Sequence, residues 1–223
     1  MKNVLVISAH PDDEILGAGG TILKHINTGD KVFWLITTNI FDFQGFSKER
    51  ITERQIEIEQ VADLLGITKL FKLDYPTMSL TGDSLNKMIP EISLIFTEIE
   101  PEIIYCLNRS DAHSDHRVTF DAVYACTKSF RYPYVKQFLM YECVSETEFA
   151  PILPEKIFMP NFYIDISAYF KRKLEIMKVY ESELGEHPFP RSFRNLEALA
   201  TFRGASVGVE YAEAFQLIKY IDK

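Results

Sequence analysis

Apolar positions along the chain alternate between two kinds of pattern. Short, nearly continuous apolar runs at residues 4–9, 31–38, 69–73 and 102–107 read as strands buried on both faces, as in a parallel sheet. Between them lie stretches with helical spacing, at 15–27, 48–65 and 84–98. The clearest is 48–65, where Ile51, Ile58, Val61, Ala62 and Leu65 mark one face and Gly66 ends it. Pro90 interrupts the third stretch or delays its start. A fourth helix follows the fourth strand to about residue 129. Further strands are expected at 135–143 and 161–166, and helices at 168–184 and 192–203. The tail, 209–221, fits strand or helix equally. Alternating strands and helices without a linker predict an α/β fold: a Rossmann-like, doubly wound, mostly parallel sheet in a single domain spanning 1–223.

Composition narrows the setting. With 24 basic and 32 acidic residues the chain carries a net charge of −8, which argues against a nucleic-acid partner. Three widely spaced cysteines do not make a disulfide framework, so a reducing, cytoplasmic location is expected. No apolar run approaches a membrane span, and the N-terminal run is too short and too soon followed by acids for a signal peptide. No membrane partner is expected; a homo-oligomer is compatible with the sequence.

The chemistry concentrates at two strand ends. The first strand runs into His10-Pro11-Asp12-Asp13-Glu14, and the fourth into Asn108-Arg109-Ser110-Asp111-Ala112-His113-Ser114-Asp115-His116. Only five histidines exist, and three of them lie in these clusters. Parallel strands share a carboxyl edge, where open α/β sheets bind ligands, so the clusters can meet. If Pro11 starts a helix, His10 and Asp13 converge on one cation. Two imidazoles and a carboxylate with an open position form a catalytic metal site, and Asp12 is placed to take a proton from water. Either His113 or His116 could be the second imidazole ligand. Glu14 has no firm role beyond support behind the ligands or an acid at a helix start. Arg54 lies inside the apolar stripe of 48–65 and must meet an anion, in an ion pair or in a substrate. Gly17, Gly19 and Gly20 lower helix stability and point to a close backbone approach. They could instead form a phosphate loop, but they do not give G-x-G-x-x-G, and acids occupy the turn where a phosphate needs bare amides.

These motifs resemble the PIG-L/LmbE-like family of zinc-dependent N-deacetylases. The resemblance rests on Ala-His-Pro-Asp-Asp-Glu at 9–14 and His-Ser-Asp-His at 113–116. It extends through Arg54-x-x-Glu57 and Leu65-Gly66 to Pro-Phe-Pro-Arg-Ser at 188–192, Arg203-Gly204 and the block from Gly208 to Phe215. It implies zinc, with iron as another candidate ion, held by His10, Asp13 and His116. It implies Asp12 as general base and His113 as the charge-stabilising or proton-donating histidine, oriented by Asp115 or Asp111. Arg54, Asp111, Arg191 and Arg203 become candidate substrate contacts. The implied reaction is removal of an acetyl group from an N-acetylated amino sugar or small-molecule glycoconjugate. A zinc amidase acting on a non-sugar is the first alternative, and a nucleotide-binding module a weaker one. Residues 37–42 lack the family's Thr-x-Gly-Glu pattern, and Thr77 stands where aspartate is common. These loops are expected to set substrate choice.

Overall fold

The structure, a computed structural model, describes residues 1–222. In chain order the strands are β1 (Asn3–Ser8), β2 (Lys31–Asn39), β3 (Lys69–Pro76), β4 (Ile103–Leu107), β5 (Gln137–Tyr141), β6 (Phe162–Asp165) and β7 (Ala212–Tyr220). The helices are α1 (Asp13–Asn27), α2 (Lys48–Leu65), α3 (Leu85–Ile99), α4 (Ser114–Ala125), α5 (Phe170–Met177) and α6 (Phe193–Ala205). The sheet order is β3-β2-β1-β4-β5-β7-β6. β3 through β5 run parallel, whereas β7 is antiparallel to both β5 and β6.

Alternation along β1 explains why its run is apolar throughout. Val4 and Val6 enter the core beneath α1, α2, α5 and α6, while Leu5 and Ile7 enter the core beneath α3 and α4. Both faces are covered, so neither can be polar. The chain leaves β1 toward β2 on one side and leaves β4 toward β5 on the other. Because β1 and β4 are hydrogen-bonded neighbours, the topological switch point lies between their carboxyl ends.

Local chemistry sets the element ends. The Ser47 side chain accepts from the Arg50 amide and opens α2, and Gly66 closes it in the left-handed conformation at φ 82°. Pro90 lies inside α3 without ending it, because Met88, Ile92, Phe96 and Ile99 bury one face and hold the helix to the sheet. The expected helix 168–184 divides into α5 and a 3-10 segment, Lys178–Glu183, in which Tyr180 leaves helical geometry (φ −88°, ψ 54°). The tail becomes β7, inserted between β5 and β6.

The α1 glycines permit close approach. A Cβ on Gly17 would lie 2.1 Å from the Tyr141 ring, and one on Gly20 2.7 Å from Ile166. They are packing positions inside a helix, which removes the phosphate-loop reading. A buried ion pair joins the same helix to the C-terminal half. Glu213 accepts from the Gly20 and Thr21 amides at 2.8 and 2.7 Å and pairs with Lys173 at 2.7 Å, while Lys173 also donates to the Leu16 carbonyl at 2.8 Å. Removing one partner strands the other charge without water. Glu213→Ala is therefore expected to lower unfolding free energy by about 3–5 kcal/mol, read by urea denaturation.

Candidate active site

The two polar clusters meet at the switch point, in a cleft of about 270 Å³. α1 begins at Asp13 rather than at Pro11, and Asp12 takes the preceding N-cap position. The Asp13 carboxylate folds back on the turn: its Oδ2 accepts from the Ala9 and His10 amides at 2.9 and 2.8 Å. Its Oδ1 faces His116 Nε2 at 3.3 Å, and His116 Nε2 lies 3.4 Å from His10 Nδ1. Donor atoms of His10, Asp13 and His116 all lie within 4.8 Å of one another.

Each imidazole in this set is oriented by a buried carboxylate. His10 Nε2 lies 3.1 Å from Asp115 Oδ2, and His116 Nδ1 lies 2.9 Å from Asp111 Oδ2. A carboxylate accepts, so in the neutral rings that a metal requires the protons belong on those nitrogens, which leaves lone pairs on His10 Nδ1 and His116 Nε2. The two inward lone pairs and the Asp13 carboxylate could hold a divalent transition metal. A second grouping, His10 with His113 and Asp115, also comes within 4.8 Å. It fits less well, since Asp115 already accepts from His10 and from the Met78 and Leu80 amides at 2.6 and 3.1 Å.

Electrostatics follow from burial and contact. Burial opposes charge on Asp13, but His116 and His10 outweigh it and hold its carboxyl well below the usual range. Burial opposes charge on His116 as well, and Asp13 and Asp111 overcome it and raise its pKa. Asp12 is shifted the other way: burial and the neighbouring Asp13 raise its pKa well above the ordinary value, against the pull of Arg191. Arg191 Nη1 lies 3.5 Å from Asp12 Oδ2. Burial and His10 push His113 down to about 4, so its ring is neutral at pH 7. Its Nδ1 accepts from the Asp115 amide at 3.1 Å, which puts the remaining proton on Nε2. Burial raises Glu14 to about 8.

Some expected residues stand elsewhere. Asp111 and Asp115 orient His116 and His10, not His113, and only the Asp115 amide serves His113. Asp111 is fully buried and also accepts from Asn108 and Thr147, so no face remains for substrate. Arg203 forms a two-pronged pair with Glu142 at 2.8 and 2.7 Å and lines a separate cavity of about 470 Å³. Arg203 does not itself line the cleft, although Cys143 borders both cavities. Arg54 does border the cleft, but its guanidinium is committed to the Pro11 carbonyl at 3.0 Å and to Glu183. Arg191 borders the cleft beside Asp12.

Other residues come to the site unannounced. Glu183 bridges Arg54 and Arg191. The Cys143 thiol donates to Asp13 Oδ1 at 3.3 Å, and burial with Asp13 beside it raises its pKa and keeps it protonated. Glu146 joins the cleft wall. None of these sits in a local motif; Cys143 and Glu146 come from the loop after β5, and Glu183 ends the 3-10 segment after α5. Thr38, Asn39, Ile40 and Thr77, from the stretches where the sequence placed substrate choice, line the cleft.

The PIG-L family, described as GlcNAc-PI de-N-acetylase, matches residues 5–127, more than half of the chain and both polar clusters. The chain belongs to the PIG-L family. Relatives and a solved neighbour agree with that placement. Diacetylchitobiose deacetylase of Thermococcus kodakarensis is 25% identical over 228 residues, covering 98% of this chain and 84% of its own length. A probable N-acetyl-alpha-D-glucosaminyl L-malate deacetylase 2 of Bacillus cereus is 25% identical, covering 82% of this chain and 84% of its own. The N,N'-diacetylchitobiose deacetylase structure from Pyrococcus horikoshii superposes with a TM-score of 0.77 at 24% identity, over 98% of this chain and 84% of that one. Among the described residues no helix is long and apolar enough to cross a membrane.

Proposed function

We propose that this PIG-L protein is a metal-dependent hydrolase that removes the acetyl group from an N-acetylated amino sugar. The observation that carries the reading is the His10–Asp13–His116 donor set with a separate carboxylate, Asp12, beside it in one cleft. Both sequence relatives reported above are sugar N-deacetylases by name, which supports the substrate class. Zinc is the first candidate ion and iron the second, since two imidazoles and a carboxylate suit both.

When bound, the ion would supply Lewis acidity toward the acetyl carbonyl and make a neighbouring water more acidic. The protein's own groups supply the remaining steps. Asp12 accepts the proton of the attacking water; burial and the adjacent Asp13 raise its proton affinity. The neutral His113 ring donates from Nε2 to the oxygen that gains charge as the carbon becomes tetrahedral. Protonated Asp12 then returns its proton to the departing nitrogen as the C–N bond breaks, leaving acetate and a free amine. Arg191 keeps Asp12 directed into the cleft. Among the cleft-lining residues, Asn39 and Thr77 offer polar groups and Phe46 and Met78 apolar surface, a mixture that suits a sugar ring.

Purified protein loaded with zinc, and separately with iron, is expected to release acetate from N-acetylglucosamine conjugates. Acetate is measured enzymatically across a panel that includes non-sugar acetamides. Activity confined to the non-sugar amides would replace the sugar reading, and no release on any member with the metal at full occupancy would overturn the deacetylase reading.

A further inference from the structure

We infer that Glu14 and Arg54 are positioning residues that grip opposite edges of a single peptide unit, Pro11–Asp12, and thereby aim the Asp12 carboxylate. The inference rests on the reading of Asp12 as the base. Asp12 has φ 131° and ψ −28°, a conformation that side chains other than glycine's rarely occupy. Such geometry persists only where the surroundings over-determine it. The φ angle of Asp12 is the rotation of the Pro11–Asp12 plane about the N–Cα bond, so whatever holds that plane sets the residue.

Both edges of the plane are held from buried positions. On the nitrogen edge, the Asp12 amide donates to Glu14 Oε2 at 3.1 Å. On the oxygen edge, Arg54 Nη1 donates to the Pro11 carbonyl at 3.0 Å. Glu14 is 0% exposed and Arg54 8%, so neither bond competes with bulk water. Each grip is itself anchored. Glu14 Oε2 also accepts from Ser8 Oγ at 3.3 Å, and Ser8 Oγ accepts from Trp34 Nε1 at 2.9 Å. Glu14 Oε1 meets the Tyr180 hydroxyl at 3.2 Å, and the Arg54 guanidinium lies 5.8 Å from the centre of the Tyr180 ring. Tyr180 therefore ties the two grips together. An acid serving only the helix dipole would sit in solvent; Glu14 instead points back at the residue two before it.

Glu14→Met and Glu14→Gln separate this role from simple packing. Both side chains approximate glutamate in volume, but only glutamine keeps an oxygen for the Asp12 amide and a polar group for Tyr180. Amide hydrogen exchange at Asp12 is followed in the metal-free proteins, together with zinc affinity and acetate-release kinetics. In Glu14→Met the Asp12 amide is expected to exchange at least about tenfold faster while the β1 amides stay protected. Its kcat should fall by about 10²-fold, the scale of a misaimed group, with zinc affinity and KM within a few-fold. Glu14→Gln should restore Asp12 protection and most of kcat. Unchanged Asp12 exchange in Glu14→Met, or equal loss of protection through all of β1 and α1, overturns the positioning role; Glu14→Ala replaces the Met variant if that one does not fold. The exchange result stands without any activity, so a wild type that releases no acetate overturns the deacetylase reading without deciding this one.

Discussion

Asp12→Asn is expected to retain its metal and lose acetate release by about 10²–10⁴-fold, the usual worth of general-base help. The expectation follows from a division of labour between adjacent acids. Asp13 spends its Oδ2 on two backbone amides and turns Oδ1 toward His116. Asp12 has no such ties: its side chain meets only Arg191, at 3.5 Å, and borders the cleft. An amide in its place keeps the volume and cannot take the water's proton. Metal content by mass spectrometry and kcat on the best acetylated sugar are the two measurements. Loss of the metal in Asp12→Asn would make Asp12 a ligand and reverse the assignment.

The second large effect separates the two histidines of the later cluster. His116→Ala is expected to weaken metal binding by more than about 100-fold, the upper range for loss of an outer hydrogen-bond partner. His113→Ala should leave affinity within about tenfold and lower kcat, since an oxyanion donor is worth about 10²–10³. The reason is which nitrogen each ring has free. His116 Nδ1–H donates to Asp111, so the neutral ring turns its Nε2 lone pair inward next to Asp13. The Asp115 amide occupies His113 Nδ1, so its other nitrogen carries hydrogen and donates. Competition titrations with a chromophoric chelator measure both affinities. The opposite order would exchange the roles and favour the grouping of His10, His113 and Asp115.

Local signals in the sequence were enough wherever the cause was local. The bounds of α2 follow from Ser47 at one end and Gly66 at the other. β1 reads as a strand because both of its faces are covered. Where the cause lay across the fold, local reading failed. The segment 168–184 has helical spacing throughout, yet it breaks at Tyr180, whose hydroxyl reaches Glu14 in the site. Tail residues 209–221 lack a clean period because β7 is inserted between β5 and β6 and buries its first residues on both faces. Arg203 lies in a conspicuous motif, and the fold pairs it with Glu142, a residue outside every motif, 61 positions away.

The sequence by itself determined the layered α/β fold and the two strand-end clusters, because periodicity, capping and strand burial are properties of neighbours along the chain. It also determined the residue types available to a metal and a base. Only the tertiary structure decided which carboxylate serves which imidazole. Asp115 lies 105 positions from His10, and a bond across that separation depends on β1 and β4 being neighbours. The same holds for Arg54, whose guanidinium crosses from α2 to the Pro11 carbonyl. For the Asp-Asp-Glu triplet itself, sequence supplied three acids in a row. The fold gave them different jobs by burying each against different partners: His116 at Asp13, Arg191 at Asp12, and Ser8 and Tyr180 at Glu14.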